Sequence, residues 1–166
     1  LIKIAKKYNL KILKEKENDV LNRFYECSKK FKIDTIVRIC ADNPLIDSDE
    51  LDKLVNYFSK HKPDYAYNTM KTKDNFNSDG FGAEILNFKT LKETNFLAKK
   101  KKEREHVTQF IRNNKNLFKT ECLNPSNGLN FPYLKFDVNT SSNLKKIKNV
   151  ISKQKVNFKT SAKKIK

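Results

Sequence analysis

Two short segments of this chain end in oxygen-bearing side chains that could bind a metal ion together. Asp42 follows the apolar run of residues 35–40, and Asp137 and Asn139 end a second run that begins at Tyr133. Asp137 and Asn139 are two positions apart, so on a strand they share one face. If the two ends meet, Asp42 and Asp137 repel by roughly 3 kcal/mol at about 5 Å and an effective dielectric constant near 20. A Mg²⁺ ion would relieve that repulsion, because it accepts Asp and Asn oxygens together with substrate phosphates.

Asp42 also has a simpler interpretation, in which its carboxylate accepts backbone hydrogen bonds in a turn before Pro44. Spacing alone does not establish that the two segments are neighbours. The metal site therefore depends on the elements that position these residues.

Helical and strand patterns alternate along the chain. Strands are predicted at residues 11–13, 35–40, 64–68, 82–88, 117–122 and 133–138. Helices are predicted at residues 1–8, after the Asn18-Asp19 cap, after the Asp47-Ser48 cap, at 90–97, at 103–112, and after Thr140 or Ser141. Residues 69–80 form the longest irregular stretch. This alternation predicts an α/β fold of three layers, with helices covering a mostly parallel sheet.

Composition limits the class of protein. A chain of 166 residues suits one domain, and its apolar residues are patterned although mean hydropathy is only −0.77. No apolar run reaches the roughly 20 residues of a membrane span, and the start does not read as a signal peptide, so we expect a cytoplasmic protein with no membrane partner. Three unclustered cysteines indicate reduced thiols, and the two histidines lack zinc-ligand spacing.

The net charge of +17 comes mainly from lysine, since only four of the 36 basic residues are arginines. Nucleic-acid-binding proteins more often cluster arginines and aromatic residues on one face. Here the lysines are spread along the chain, which is typical of a soluble surface with non-specific attraction. No specific nucleic-acid partner is expected, although a basic nucleic-acid-binding module stays open as an alternative. The same field would attract a nucleoside triphosphate.

Four segments resemble, in order, those of one enzyme family. Residues 38–47 resemble the R-I-T-x-D-x-P-L-I-D segment of cytidylyltransferases that activate sugars and sugar acids, and are most similar to the spore-coat polysaccharide branch of that acylneuraminate cytidylyltransferase-like family. Residues 19–24 are similar to D-V-L-x-R-Y, residues 79–84 to G-x-x-x-E, and residues 104–108 to R-E-H-V-T. The resemblance covers nearly all of residues 1–150 and implies the nucleotide-diphospho-sugar transferase, Rossmann-like fold.

The resemblance also implies a metal site. Asp42 matches the loop aspartate that binds the catalytic metal, for which we expect Mg²⁺ as cofactor. Asp137 and Asn139 fall on the two acidic positions of a later D-x-D-T element. Against the alternative V-D-T-P-E-D-L version, Asn139 stands for the single aspartate, and residues 141–143 replace its Pro, Glu and Asp.

Other roles follow from motif position in the same resemblance. The residues with implied roles are Arg38 beside Asp42 in catalysis, Arg23 and Asp42 at the nucleotide, and Glu84, Arg104, Glu105 and His106 in the acceptor pocket. Arg104 and Thr108, at i and i+4 of the predicted helix, share a face, and Arg104 could bind an acceptor carboxylate or phosphate through two hydrogen bonds. Without the resemblance, Arg23 would read as a solvated helix residue and the Gly80 segment as a plain turn.

The resemblance predicts a Mg²⁺-dependent cytidylyltransferase that transfers CMP from CTP to a sugar acid or related sugar for cell-surface polysaccharide synthesis and releases pyrophosphate. Its partners would be CTP and the sugar, and a homodimer is left open. No segment matches the family's R-x-G-S-x-R-x-P-x-K loop, so residues 1–152 are expected to form the domain without its first strand and phosphate loop, followed by a basic tail at 153–166. An inactive or interaction-only remnant is the alternative.

Overall fold

A computed structural model describes residues 2–15, 17–69, 78–131, 133–156 and 160. In these ranges the helices are α1 (Ile2–Lys7), α2 (Val20–Phe31), α3 (Ser48–His61), α4 (Phe88–Leu97), α5 (Lys101–Glu105), α6 (Gln109–Asn113) and α7 (Ser141–Lys153). The strands are β1 (Thr35–Arg38), β2 (Tyr65–Tyr67), β3 (Glu84–Asn87) and β4 (Thr120–Cys122). Leu1 and most of the segments at 69–80 and 153–166 lie outside the described residues.

The four strands form one sheet in the order β1-β3-β2-β4. β2 pairs with β3 antiparallel, with Tyr65 opposite Leu86, and with β4 in parallel, with Tyr65 opposite Thr120. The α/β fold predicted from the alternating pattern is confirmed, with the refinement that the sheet is mixed.

The chain divides into two compact units. The first contains residues 1–36 and 87–118, where α2 packs against α4 and α5. Its fully buried side chains include Leu21, Leu91 and Ile111. Burial of such aliphatic side chains stabilises this unit by about 1.5–3 kcal/mol each.

The second unit contains residues 37–86 and 119–166. One of its cores joins α3 to the sheet through Leu54, Phe58, Ala66, Ile85 and Leu123. The other core is built from four buried residues, Leu45, Phe81, Leu129 and Ile147, and it packs against Phe136 and Val138, the neighbours of Asp137. The first of these clusters packs α3 against β2 and β3.

Local capping chemistry accounts for three helix starts, as predicted. The Asp19 carboxylate accepts from the N–H of Asn22 at 3.0 Å, and Asp47 accepts from the N–H of Glu50 at 3.0 Å. Thr140 and Asn143 form a reciprocal capping box at the start of α7. Each such cap contributes about 1 kcal/mol to helix stability.

Two predicted strands are wrong. Residues 11–13 have no strand to pair with among the described residues, so they stay irregular. Residues 133–138 make a single parallel bridge between Lys135 and Asp79 instead of a strand. The backbone of this segment bonds to loops at 79 and 42 rather than to a continuous neighbouring strand.

The predicted helix at 103–112 is two short helices. α5 ends at Glu105, and Val107 has a positive φ of 51° before α6 begins at Gln109. A positive φ is strained for a β-branched residue and incompatible with a continuous helix. Strand β1 also ends at Arg38, before the predicted Cys40, because the N–H of Asn43 donates to the carbonyl of Cys40 and turns the chain.

Among the described residues, no helix has both the length and the apolar composition needed to cross a membrane.

Candidate functional site

Asp42 lies directly beside the segment that carries Asp137 and Asn139. The N–H of Val138 donates to the carbonyl oxygen of Asp42 at 2.8 Å. The two polar segment ends therefore meet, as a shared metal site requires. Their roles as ligands stay predictions.

Asp79 is a third carboxylate at this place, and sequence reasoning assigned it no role. Its N–H donates to the carbonyl of Leu134 at 3.3 Å, and its own carbonyl accepts from the N–H of Phe136 at 3.1 Å. Burial raises the pKa of Asp79, and the negative charges of Asp137 and Asp42 raise it further. The three side chains therefore share one electrostatic environment. In the sequence, the Asp-Gly step at residues 79–80 was the signal that could have pointed to Asp79.

Gly80 allows this close approach. It has a φ of +101°, and a Cβ atom there would lie 2.8 Å from the backbone carbon of Phe136. Only glycine combines that backbone conformation with so little space. The glycine thus lets the segment at 79 lie against residues 134–137.

One carboxylate oxygen of Asp42, Oδ1, is buried without a hydrogen-bond donor among the described residues. A buried carboxylate oxygen without a donor is costly unless a ligand compensates for the lost water. The turn interpretation of Asp42 therefore does not account for this atom.

The oxygen-rich surroundings suit a hard divalent cation. In the described part of the chain, no three His, Cys, Asp or Glu side chains are arranged as a complete metal cage. Mg²⁺ does not need such a cage, because it is usually bound by one or two carboxylates together with water and substrate phosphates. Asp42 and Asp137 therefore fit a magnesium ion that shares its ligands with a nucleotide.

Asn139 contacts Asp137 directly, with its side-chain amide donating to the Asp137 carboxylate. Asn139 is exposed and Asp137 is half-buried. This contact orients the carboxylate of Asp137. Whether the amide oxygen of Asn139 also serves as a ligand stays a prediction.

Arg38 and Glu84 form an ion pair next to this site. One terminal nitrogen of Arg38 contacts Oε2 of Glu84, and the hydroxyl of Tyr65 donates to Oε1 at 2.5 Å. Glu84 is 1% exposed, whereas the Arg38 side chain is 18% exposed. Burial tends to lower the pKa of Arg38, but the charge of Glu84 outweighs it and raises that pKa.

This geometry favours a positioning role for Glu84. Both of its oxygens are engaged by Arg38 and Tyr65, so it restricts the orientation of the guanidinium. The predicted contact between Glu84 and an acceptor stays a prediction. Tyr65 was missed because a tyrosine inside a short strand looks like an ordinary core residue.

In the other unit, Arg104 is tied into the protein by several hydrogen bonds. It contacts the carboxylate of Asp19 at 2.8 Å, the carbonyls of Asn95 and Ala98 at 3.0 Å each, and the amide oxygen of Asn95 at 2.7 Å. These bonds use four of the five donors of a guanidinium. Arg104 therefore joins α2 to the α4–α5 connection, and its predicted acceptor role stays a prediction.

Glu105 and His106 are exposed at the break between α5 and α6. The carbonyl of His106 accepts from the N–H of Thr108 at 2.5 Å across Val107. This tight turn replaces the continuous helix, so the predicted shared face of Arg104 and Thr108 is wrong. The acceptor roles of Glu105 and His106 stay predictions.

Arg23 lies on α2 and lines a cavity of about 310 Å³ together with Leu13, Val20, Phe24 and Cys27. Within the described residues, Nε of Arg23 is buried and has no hydrogen-bond acceptor. A buried guanidinium nitrogen without an acceptor is suited to an anionic ligand. The predicted nucleotide role of Arg23 fits this arrangement and stays a prediction.

A family profile, two curated relatives and a solved structure are similar to this chain. A family profile described as Cytidylyltransferase matches residues 3–165. An uncharacterised protein of Methanocaldococcus jannaschii is 34% identical over 145 residues, covering 87% of this chain and 57% of the relative. The spore coat polysaccharide biosynthesis protein SpsF of Bacillus subtilis is 25% identical over 148 residues, covering 89% of this chain and 59% of SpsF.

The fold has a solved counterpart. A structure of a cytidylyltransferase from Leptospira borgpetersenii superposes with a TM-score of 0.87 at 25% identity, covering 96% of this chain and 66% of that one. The chain thus spans 57% and 59% of the lengths of the two curated relatives. Because the profile match covers almost the whole chain, this protein belongs to the cytidylyltransferase family.

Proposed function

We propose that this chain forms part of a cytidylyltransferase active site that transfers CMP from CTP to a sugar acid or related sugar, with release of pyrophosphate. The single observation that carries this proposal is the 2.8 Å hydrogen bond from Val138 to Asp42, which joins the two aspartate-bearing segments. Family membership supports nucleotidyl transfer as the reaction. The name of the B. subtilis relative supports a role in polysaccharide synthesis.

The chemistry requires an acceptor oxygen to attack the α-phosphorus of CTP while the bond to pyrophosphate breaks. Asp42 and Asp137, with Asn139 beside them, would hold Mg²⁺. When bound, the ion would neutralise charge on the phosphates. No covalent intermediate with the protein is needed, because positioning and charge stabilisation suffice for such a transfer.

Arg38 adds a fixed positive charge to the same unit. Its contact with Glu84 restricts the guanidinium, and the exposed part of the side chain is open to a phosphate oxygen. A cation whose orientation is set before the reaction costs little reorganisation during it. Arg38 would therefore act on developing phosphate charge, with Glu84 and Tyr65 as positioning residues.

Pyrophosphate release tests this proposal. A protein that contains this chain together with a phosphate loop of the family would be mixed with CTP, Mg²⁺ and either a sugar acid or a neutral sugar of similar size. We expect CTP-specific release that stops on removal of Mg²⁺ and falls at least about a hundredfold in Asp42→Asn, the scale on which one key electrostatic group acts.

Asp52→Asn is the matched control, because Asp52 is an exposed aspartate on α3 of the same unit. It should keep full activity. Activity of Asp42→Asn equal to that of Asp52→Asn would contradict the proposal. Release with the neutral sugar only would overturn the sugar-acid part and leave nucleotidyl transfer in place.

A further inference from the structure

A second concave site lies on α3, and none of the carboxylates described above is among its lining residues. We name it the α3 groove: a cavity of about 680 Å³ between one face of α3 and the segment that follows β4, lined among others by Lys53, Tyr57, Lys60, His61, Cys122 and Asn124. Its volume falls within the range of small-molecule sites in proteins. All of these residues belong to the second compact unit.

The charge of the α3 groove is positive. None of its lining residues is an aspartate or glutamate, whereas two are lysines and one is a histidine. Glu50 approaches Lys53 to 3.8 Å and offsets its charge. Lys60 is exposed, and the described part of the chain gives it no ion pair, so it is the cation best placed for an incoming anion.

The wall of the α3 groove is organised before any ligand arrives. Nζ of Lys53 donates to the carbonyl of Asn124 at 2.6 Å and ties α3 to the segment after β4. The rings of Tyr57 and His61 are stacked, with centroids 4.3 Å apart and an interplanar angle of 21°. Such a pair of rings offers a rigid flat surface at the positive wall.

A flat ring surface beside a lysine is the combination that recognises a phosphorylated ring compound. Aromatic side chains stack on heterocyclic bases of any identity, and a nearby ammonium group contacts the phosphate. We propose that the α3 groove binds a nucleoside monophosphate, with its base against Tyr57 and its phosphate at Lys60. This site is separate from the carboxylates of the proposed reaction and does not depend on Mg²⁺.

Alkylation of the cysteines provides a local test. Cys122 lines the α3 groove, whereas Cys27 and Cys40 do not. With the intact chain in EDTA, saturating CMP or AMP should slow iodoacetamide labelling of Cys122 about tenfold, as followed by mass spectrometry, and Tyr57→Leu should reduce this protection. Cytidine or inorganic phosphate alone should each protect about tenfold less well at equal concentration.

Variants distinguish specific binding by Tyr57 and Lys60 from attraction by the general positive charge of the protein. Tyr57→Leu should weaken the Kd for CMP about tenfold, the scale of losing one stacked ring, whereas Tyr57→Phe should keep it within about twofold. Lys60→Gln should weaken it about threefold. Lys62→Gln removes the same charge two positions away, at a residue outside the groove lining, and should have almost no effect.

Three results would overturn the proposal. The first is unchanged labelling of Cys122 at saturating CMP. The second is equal loss of binding in Lys60→Gln and Lys62→Gln, which would indicate the general positive field of the protein. The third is protection of Cys122 that rises with protein concentration without any nucleotide, which would mean that a second copy covers the groove. Because EDTA excludes Mg²⁺, these results are independent of the pyrophosphate assay.

Discussion

Glu84 is a carboxylate with almost no access to solvent, and two neighbours make that burial tolerable. Arg38 supplies the opposite charge and Tyr65 supplies a hydrogen bond at 2.5 Å. A buried ion pair adds little net stability, but removal of one partner leaves an uncompensated charge. The arrangement therefore fixes the orientation of Arg38 more than it stabilises the fold.

Replacement of Glu84 measures how much the stability of the fold depends on this buried ion pair. Glu84→Gln should lower the free energy of unfolding by about 3 kcal/mol, the low end for a broken buried pair, since Arg38 keeps 18% exposure. Tyr65→Phe, which removes one hydrogen bond and keeps the ring, should cost about 1.5 kcal/mol. Urea denaturation gives both values, and a loss below about 0.5 kcal/mol in Glu84→Gln would show that the pair is not buried as described.

Side-chain interactions could be predicted from the sequence only where the interacting residues are close together along the chain. The caps at Asp19, Asp47 and Thr140 act over three positions, so a short segment contains the whole signal. Arg38 and Glu84 are 46 positions apart, and nothing near either residue indicates the other. The resemblance pointed to both residues, but it did not reveal that they contact each other.

At the scale of elements, α2 is stabilised at both ends by different means. Its first turn is capped by Asp19, which also accepts from Arg104. Its last turn ends at Lys32, which has a left-handed φ of 52°, and the N–H of Ile33 reaches back to the carbonyl of Ser28 at 2.9 Å. Glycine is the usual residue in that conformation, so Lys32 carries strain.

That strain gives a stability prediction. Lys32→Gly should raise the free energy of unfolding by about 1 kcal/mol, because glycine adopts a positive φ without a Cβ clash. Lys30→Gly, inside the same helix, should lower it by about 1 kcal/mol. Thermal denaturation of the two variants would show opposite shifts, and destabilisation by both would mean that α2 continues through Lys32.

The start of α2 gives a prediction about pH. Burial by itself raises the pKa of Asp19, but hydrogen bonds from Arg104 and the N–H of Asn22, with the charges of Arg104 and Arg23, outweigh it and hold the pKa below its ordinary value. A carboxyl group with a lowered pKa stabilises the fold above its unfolded pKa, near 3.9, and loses that contribution as pH falls through the folded value.

Asp19→Asn should therefore lower stability at pH 7 and flatten the dependence of stability on pH below about 4. Urea midpoints measured from pH 7 to pH 2.5 would reveal the change. Asp34→Asn, at an exposed aspartate, is the control and should follow the parent curve. Parallel curves for Asp19→Asn and the parent chain would contradict the pKa direction assigned to Asp19.

The elements also explain which parts of the fold could be predicted. Helices with a cap and an apolar stripe, such as α3, were placed correctly because both signals lie within the helix. The break at His106 and Val107 was missed, since residues 103–112 contain neither glycine nor proline. The antiparallel pairing of β2 and β3 was missed as well, because strand direction depends on contacts that a single segment does not specify.

At the scale of the molecule, a net charge of +17 will attract any polyanion. Binding to DNA or RNA by this route should be independent of sequence and should weaken steeply between 50 mM and 200 mM salt. Binding of CTP with Mg²⁺ should change much less, because it depends on fixed carboxylates. Fluorescence titration at the two salt concentrations distinguishes non-specific binding of nucleic acid from binding of CTP with Mg²⁺. Nucleic-acid binding that is sequence-specific and resists salt would favour the nucleic-acid-binding alternative.

The proposed transfer of CMP depends most on the carboxylates of Asp42 and Asp137. Electron paramagnetic resonance of Mn²⁺, a close substitute for Mg²⁺, tests them without turnover. In the presence of CTP we predict that the chain binds one Mn²⁺ ion, that Asp42→Asn and Asp137→Asn each weaken this binding at least about tenfold, and that Asp52→Asn leaves it unchanged. Equal Mn²⁺ binding by the parent chain, Asp42→Asn and Asp137→Asn would contradict the proposed active site.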